Sequence, residues 1–186
     1  MYSEFKYTKD GDWYPNSCFE GVFNNNFKPN NTYDYVSCTS RFDFNILLKT
    51  INFDATYIEA QYIHRNSIRN TKSFIRFNCE KVSKDLIDIE LFGCEPGTYK
   101  NFPEGKKGIL EAYNGGTVYL EEVSELPLYA QYKLIDLVEE GILSKSGSNK
   151  KIIIDVKLIA STKKDLNKLM EKGLFVEGLY YSLIEM

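Results

Sequence analysis

Two adjacent acids, Glu121 and Glu122, close the run Thr117-Val118-Tyr119-Leu120. Carboxylates delivered together at a strand end can hold Mg²⁺ or polarise a water. In open α/β sheets, ligands bind at the carboxyl ends of the strands. On spacing alone, the simpler expectation is a solvated strand end with two exposed acids. A phosphate-binding chain also needs a glycine-rich loop between its first strand and the next helix, so that backbone N–H groups can cradle phosphates. Here the stretch after Ile46–Leu48 is Lys49-Thr50-Ile51-Asn52-Phe53-Asp54-Ala55-Thr56. It has no glycine and no lysine at its helix end, and Ile51 and Phe53 place bulk where a phosphate would sit.

Other reactive side chains carry weaker signals. His64 is the sole histidine and lies in a helical pattern, where packing or capping is the expected role. Cys18, Cys38, Cys79 and Cys94 are widely and irregularly spaced, with no C-x-x-C pair. Reduced, mostly buried thiols are expected rather than a zinc site or a disulfide framework. The lysine-rich stretch Lys145 to Lys151 is small and local, and reads as a solvated hairpin or loop rather than a nucleic-acid patch.

The elements that must position these groups follow from apolar spacing. Phe44 to Lys49 reads as a buried strand. Tyr57 to Ser67 reads as a helix carrying Ile58, Ala60 and Ile63 at helical spacing. Phe74 to Phe77 and Thr117 to Leu120 are short strands. Lys84 to Phe92 is helical, with Leu86, Ile89 and Phe92 turned inward. Pro127 opens an amphipathic helix that Gly141 closes. Ile152 to Ala160 reads as one long β-branched strand, and Asp165 to Lys172 as a helix before Gly173. Apolar strands alternating with helices predict a parallel sheet covered on both faces. Residues 1–40 differ in texture: aromatics cluster among Asn, Gly and Pro, without a helical period. Short strands, hairpins or a loop-rich cap are expected there.

Composition bounds the function without naming it. The chain has 186 residues, enough for one domain with a substantial core. It carries 23 Lys+Arg against 26 Asp+Glu, a net charge of −3. That balance argues against a DNA-coating protein, and no polybasic run points to an anionic membrane. Apolar stretches are far shorter than a bilayer span, and the N-terminus lacks an apolar signal core, so a cytoplasmic location is expected.

From about Phe44 to Met186 the order of segments resembles the AAA+ ATPase domain of sigma-54-dependent transcriptional activators, the bacterial enhancer-binding proteins. The resemblance rests on YIHRNSIR (Tyr62 to Arg69), FIRFNC (Phe74 to Cys79) and ELFGCEPGTYKN (Glu90 to Asn101). It continues through GGTVYLEEVSELPLYAQYKLIDLVEEG (Gly115 to Gly141), VKLIASTKKDL (Val156 to Leu166) and GLFVEGLYYSL (Gly173 to Leu183). It implies a P-loop NTPase-like (AAA+) three-layer sandwich with a parallel central sheet over residues 41–186. Residues 1–40 would be an unmatched, aromatic-rich irregular segment, whose side chains are candidates to fill a vacant nucleotide cleft.

The departures from the family pattern bear on function. Counted without a gap, Thr56 falls at the phosphate-loop lysine and Thr50, Phe53 and Ala55 at its three glycines. In the family a lysine there places charge on the β/γ-phosphates. Glu121 replaces the magnesium-ordering Asp of the Walker B pair, and Glu122 matches the water-polarising acid. Asn78 matches the residue that switches that glutamate. Thr162 matches the sensor I region, where Lys163 replaces the usual Asn. The two arginine-finger positions are Val176 and Ser182. The sigma-contacting loop corresponds to Gly97-Thr98-Tyr99-Lys100-Asn101-Phe102, where only the first glycine is kept. The lid and helix-turn-helix that follow in the family have no counterpart, so neither a hexameric ring nor direct DNA binding is expected.

The resemblance and its departures together imply a catalytically inactive domain that acts as a protein-binding module in transcription regulation. Its partner would be a related activator, a sigma factor or another regulator, with no metal and no cofactor expected. The alternatives are a residual nucleotide-binding or slow ATPase switch using ATP and Mg²⁺, and a scaffold repurposed outside transcription.

Overall fold

Four apolar runs with β-branched residues pair in parallel to build the centre of the domain. The computed structural model describes residues 45–184 and the backbone of two short strands, β1 (Phe5–Tyr7) and β2 (Trp13–Pro15), which form an antiparallel hairpin. That hairpin agrees with the strands expected near the N-terminus. The aromatic cap over the cleft, Cys18 and Cys38 lie outside the described residues.

The central strands are β3 (Ile46–Lys49), β4 (Phe74–Asn78), β7 (Thr117–Glu121) and β10 (Lys157–Thr162), in the order β3-β10-β7-β4. All three pairings are parallel. Helix α1 (Phe53–Arg65) covers one face, where Ala60 and Ile63 pack with Ile46, Leu48, Tyr119 and Ile159. Helices α2 (Lys84–Leu91), α4 (Leu128–Glu140) and α6 (Glu177–Ile184) cover the other. There Ile87, Leu91, Leu134 and Leu179 meet Val118, Leu120, Leu158 and Ala160. Alternate side chains of β7 point to opposite faces, so Tyr119 and its neighbours Val118 and Leu120 serve different layers. The three-layer α/β sandwich is therefore the architecture observed.

Smaller elements complete the chain. Strands β5 (Gly93–Cys94) and β6 (Lys106–Lys107) pair beside α3 (Ile109–Ala112). A 3₁₀ turn, Val123–Glu125, follows β7. Strands β8 (Ile142–Ser144) and β9 (Lys151–Ile153) form an antiparallel hairpin around the lysine-rich loop, as its composition suggested. Helix α5 (Leu166–Glu171) takes its cap from Asp165, whose side chain accepts from the Lys168 N–H.

Three sequence expectations are corrected. The long strand from Ile152 to Ala160 is two strands broken at Ile154 to Val156. Asp155 leaves the ladder because its N–H donates to Asn114 Oδ1 (2.7 Å) and its carbonyl accepts from Gly115 N (2.6 Å) and Arg69 Nη1 (3.1 Å). Leu86 is not inward: α2 turns Ile87 and Leu91, spaced by four, into the core and leaves Leu86 43% exposed. Ile58 is likewise 58% exposed, since α1 buries Thr56, Ala60, Ile63 and His64 along a single stripe.

The glycine pair kept at 115–116 answers a backbone demand. Gly115 has φ +81°, and a Cβ on Gly116 would lie 2.5 Å from the Ser73 carbonyl. Close approach there lets Thr117 N donate to the same Ser73 carbonyl (2.9 Å) as β7 begins.

Candidate site at the carboxyl ends of the central strands

Strands β3, β10, β7 and β4 all point the same way, so their last residues meet at one edge of the sheet. Lys49 pairs with Thr162, Ser161 with Glu121, and Glu121 with Asn78. The topology thus gathers the phosphate-loop match, the two acids, Asn78 and the sensor match along one end of the domain. The expectation of a solvated pair of acids is overturned. Glu121 and Glu122 are only 2% and 4% exposed. Carboxylates this deep need partners, because an unpaired buried charge costs several kcal/mol.

Glu121 finds its partners on β4. Arg76 brings Nε to 2.5 Å from Glu121 Oε2 and pairs with the same oxygen through Nη2. Asn78 Nδ2 donates to the other oxygen, Oε1. Both oxygens are therefore engaged within the chain. Arg76 is placed by the Tyr57 ring, whose centroid lies 4.8 Å from the guanidinium carbon, and by Asp54 at 3.9 Å. Tyr119, buried beneath, hydrogen-bonds Ser161 Oγ (2.8 Å); burial pushes its phenol up to about 12.

Glu122 takes its donors from β10 and from the turn that follows it. Thr162 Oγ1 and Ser124 Oγ (2.5 Å) donate to Oε1, and Lys163 N donates to Oε2 at 3.2 Å. Its own backbone is left-handed (φ 54°, ψ 57°), and no other non-glycine residue with described torsions has positive φ. Such a conformation costs about 1–2 kcal/mol and persists where neighbours over-determine it. Cys79, adjoining both acids, is buried; burial and then the charges of Glu122 and Glu121 push its thiol well up, leaving it unreactive.

The phosphate-loop match is folded differently from a cradle. Half of it is helix: α1 begins at Phe53, so Phe53 to Thr56 form its first turn. Asn52 is the cap, and its Oδ1 accepts from Asp54 N at 3.0 Å. Thr50 N donates to Thr162 O (3.0 Å), Asn52 N to Thr50 Oγ1 (3.0 Å) and Thr56 N to Asn52 O (3.1 Å). The backbone donors of Thr50, Asn52, Asp54 and Thr56 are thus all taken internally. Thr56 is 3% exposed and its hydroxyl bonds Thr50 Oγ1. Ala55 lies exposed on the same turn. Lys163 Nζ sits 4.1 Å from the Phe53 ring centroid, bridging the helix start to the end of β10.

A P-loop site holds Mg²⁺–nucleotide with free backbone N–H groups, a lysine, a P-loop hydroxyl and a Walker B acid. The residues here do not fit that complex. The amides of Thr50, Asn52, Asp54 and Thr56 and the hydroxyls of Thr50 and Thr56 are bonded within the chain, and the acid that would order the metal is engaged by Arg76 and Asn78. Among the described residues no group of three or more His, Cys, Asp or Glu side chains could hold a metal ion.

The remaining matches are held by other elements. Val176 N donates to Gln131 Oε1 (2.7 Å), and Ser182 Oγ donates to Glu139 Oε1 (2.9 Å), so both finger positions pack on α4. The contact-loop match from Gly97 to Phe102 is a tight turn: Gly97 N donates to Pro103 O (3.0 Å) and Phe102 N to Tyr99 O (2.9 Å). Thr98, Lys100 and Asn101 are exposed at its tip. His64 is packed away from all of these, with Nδ1 3.0 Å from Thr117 Oγ1, in keeping with a structural role. Sequence inspection missed Arg76. Its only signal was a cation alternating with apolar residues in FIRFN, and its partner lies 45 residues on.

Comparison with known proteins gives a consistent family. The sequence pattern of the Sigma-54 interaction domain matches residues 31–186. The signal-transduction and transcriptional-control protein of Clostridium beijerinckii is 44% identical over 125 residues, 67% of this chain and 20% of that protein. The transcriptional regulatory protein GlrR of Escherichia coli (strain K12) is 37% identical over 141 residues, 76% of this chain and 32% of that protein. The chain thus spans a fifth to a third of the length of these relatives. Among solved structures, NtrX from Brucella abortus superposes with a TM-score of 0.73 at 28% identity, covering 80% of this chain and 33% of that one. A crystal structure of the same NtrX in complex with ATP gives 0.72. No described helix is long and apolar enough to cross a membrane.

Proposed function

The chain belongs to the Sigma-54 interaction domain family, and on that premise we propose that it is a member without ATP turnover, acting as a protein-binding module in bacterial transcription regulation. One observation carries the proposal. The helix that should follow a phosphate cradle starts at Phe53 and is capped by Asn52, so the amides of Asn52, Asp54 and Thr56 are spent inside the chain. The missing lysine at Thr56 and the uncharged finger positions Val176 and Ser182 point the same way. Meanwhile the segments that build the sandwich are kept. The partner is a protein of the transcription machinery: sigma-54, a related activator or another regulator. Relatives whose printed names are regulatory proteins support that class.

Titration with labelled ATP and Mg²⁺ tests the proposal. No saturable binding at micromolar nucleotide and no phosphate release are expected. Micromolar affinity with measurable hydrolysis would sink it.

A second function, a slow nucleotide switch, has one observation in its favour. Glu122 is held in a strained conformation with its carboxylate tied to Thr162 and Lys163, as a positioned catalytic acid would be. If that function holds, Glu122→Gln abolishes whatever turnover the chain has.

A further inference from the structure

We propose that Arg76 is a resident counter-ion of Glu121, a protein cation standing where this acidic strand end would otherwise recruit a divalent metal. The proposal deepens the inactive-domain assignment and rests on it only for identifying Glu121 with a metal-ordering acid. Its foundation is geometric. Arg76 and Glu121 lie on adjacent parallel strands, and Arg76 is the register partner of Tyr119, two residues before Glu121. Residues two apart share a face, so the guanidinium reaches Glu121 diagonally. It engages Oε2 through two nitrogens, and Asn78 occupies Oε1.

Burial and two further contacts make this a built arrangement rather than a chance surface pair. The Glu121 side chain is 3% exposed and that of Arg76 is 31% exposed. The Tyr57 ring packs against the guanidinium at 4.8 Å, and Asp54 of the first α1 turn approaches it at 3.9 Å. Arg76 therefore links the helix start to the strand end. Those are the two elements between which a P-loop site places its phosphates and metal. Its fixed positive charge does two things there. It satisfies a carboxylate that burial would otherwise penalise, and it repels a second cation from the same oxygens.

Removing the cation exposes the latent chemistry. Arg76→Gln leaves Glu121 without a counter-ion beside Glu122, with Asn78 still on Oε1 and Oε2 freed, and hard carboxylate oxygens of this kind suit Mg²⁺ and Mn²⁺. The experiment titrates Mn²⁺ into nucleotide-free full-length protein, reading free Mn²⁺ by electron paramagnetic resonance and Tm by calorimetry. The unaltered protein is expected to show no binding below millimolar Mn²⁺ and no Tm shift. Arg76→Gln is expected to melt lower, to bind Mn²⁺ at least tenfold more tightly, and to recover Tm as Mn²⁺ is added. The double variant Arg76→Gln, Glu121→Gln should lose that gain and melt above Arg76→Gln alone, because the buried charge is gone.

A folded Arg76→Gln indifferent to Mn²⁺ overturns the proposal. So does an unaltered protein that already binds Mn²⁺ as tightly as the variant. If Arg76→Gln fails to fold, the double variant decides: folding on removal of the acid supports the counter-ion role, and failure of both overturns it. Tight Mg²⁺–ATP binding by the unaltered protein would instead sink the inactive-domain assignment, whatever Arg76→Gln does.

Discussion

Thr56 Oγ1 donates its hydrogen to Thr50 Oγ1, so the residue at the phosphate-loop lysine position is turned back onto the residue at the first glycine position. Thr50 Oγ1 in turn donates to Asn52 O (2.9 Å) and accepts from Asn52 N (3.0 Å). The stretch that could have wrapped a phosphate is instead a closed turn leading into α1.

Restoring the lysine alone should therefore not restore nucleotide binding. Thr56→Lys is expected to leave ATP binding undetectable at micromolar nucleotide, while forcing a long cation into a position only 3% exposed. The expected cost is about 1–3 kcal/mol of stability. Fluorescent-nucleotide titration and urea unfolding read the two effects. ATP binding by this single variant would show that the capped helix start is no obstacle.

Glu122 depends on its neighbour on β10. Thr162→Val keeps the shape but removes the hydroxyl that donates to Glu122 Oε1. A hydrogen bond to a charged group contributes about 1.5–3 kcal/mol, and that loss is expected in chemical denaturation. Thr162→Ser keeps the donor and should recover most of it. Equal stability of the valine and serine variants would mean the carboxylate is satisfied without Thr162.

His64 gives the domain a pH dependence of known sign. Burial lowers its imidazole below the ordinary value; a backbone hydrogen bond with Lys72 opposes this, while the charges of Lys157 and Arg65 add to the lowering. The unfolded chain therefore takes up the proton first. The contribution is fully present above the unfolded value of about 6.5, and is lost as pH falls below it. Urea midpoints measured from pH 7.5 to 5 should fall more steeply for the unaltered protein than for His64→Gln. Parallel curves would remove His64 as the cause.

Gly116 is expected to tolerate no side chain. A Cβ there meets the Ser73 carbonyl at 2.5 Å and the Tyr113 carbonyl at 3.0 Å, both backbone atoms. Gly116→Ala should cost about 1–3 kcal/mol by overpacking. Thermal melting checks it, and an unchanged Tm would show that the Ser73 turn yields.

Much of the scaffold was legible because its signals are local. Apolar runs at Ile46, Phe74 and Thr117 announced strands, and the pattern from Leu128 to Gly141 announced a helix whose closing glycine has φ 68°. The break between β9 and β10 was not legible, because Ile154 and Val156 look like strand residues. Contacts to Asp155 from Asn114, Gly115 and Arg69, far away in sequence, pull the chain out of the ladder. Leu86 and Ile58 were misplaced for a related reason: their helices could be rotated by about one residue before their packing partners were known.

The family and the alternation of strands and helices were set by residue types and their spacing, as are the Thr, Phe and Ala at positions 50, 53, 55 and 56 and the uncharged Val176 and Ser182. These are identities at positions, and position in a chain is one-dimensional information. Only the tertiary structure decided what the retained acids do. Their burial, the pairing of Glu121 with Arg76 and Asn78, and the binding of Glu122 to Thr162 all arise where parallel strands end side by side. A carboxylate's behaviour is set by the charges and donors within a few ångströms of it, and apart from Ser124 those come from residues 40 or more positions away.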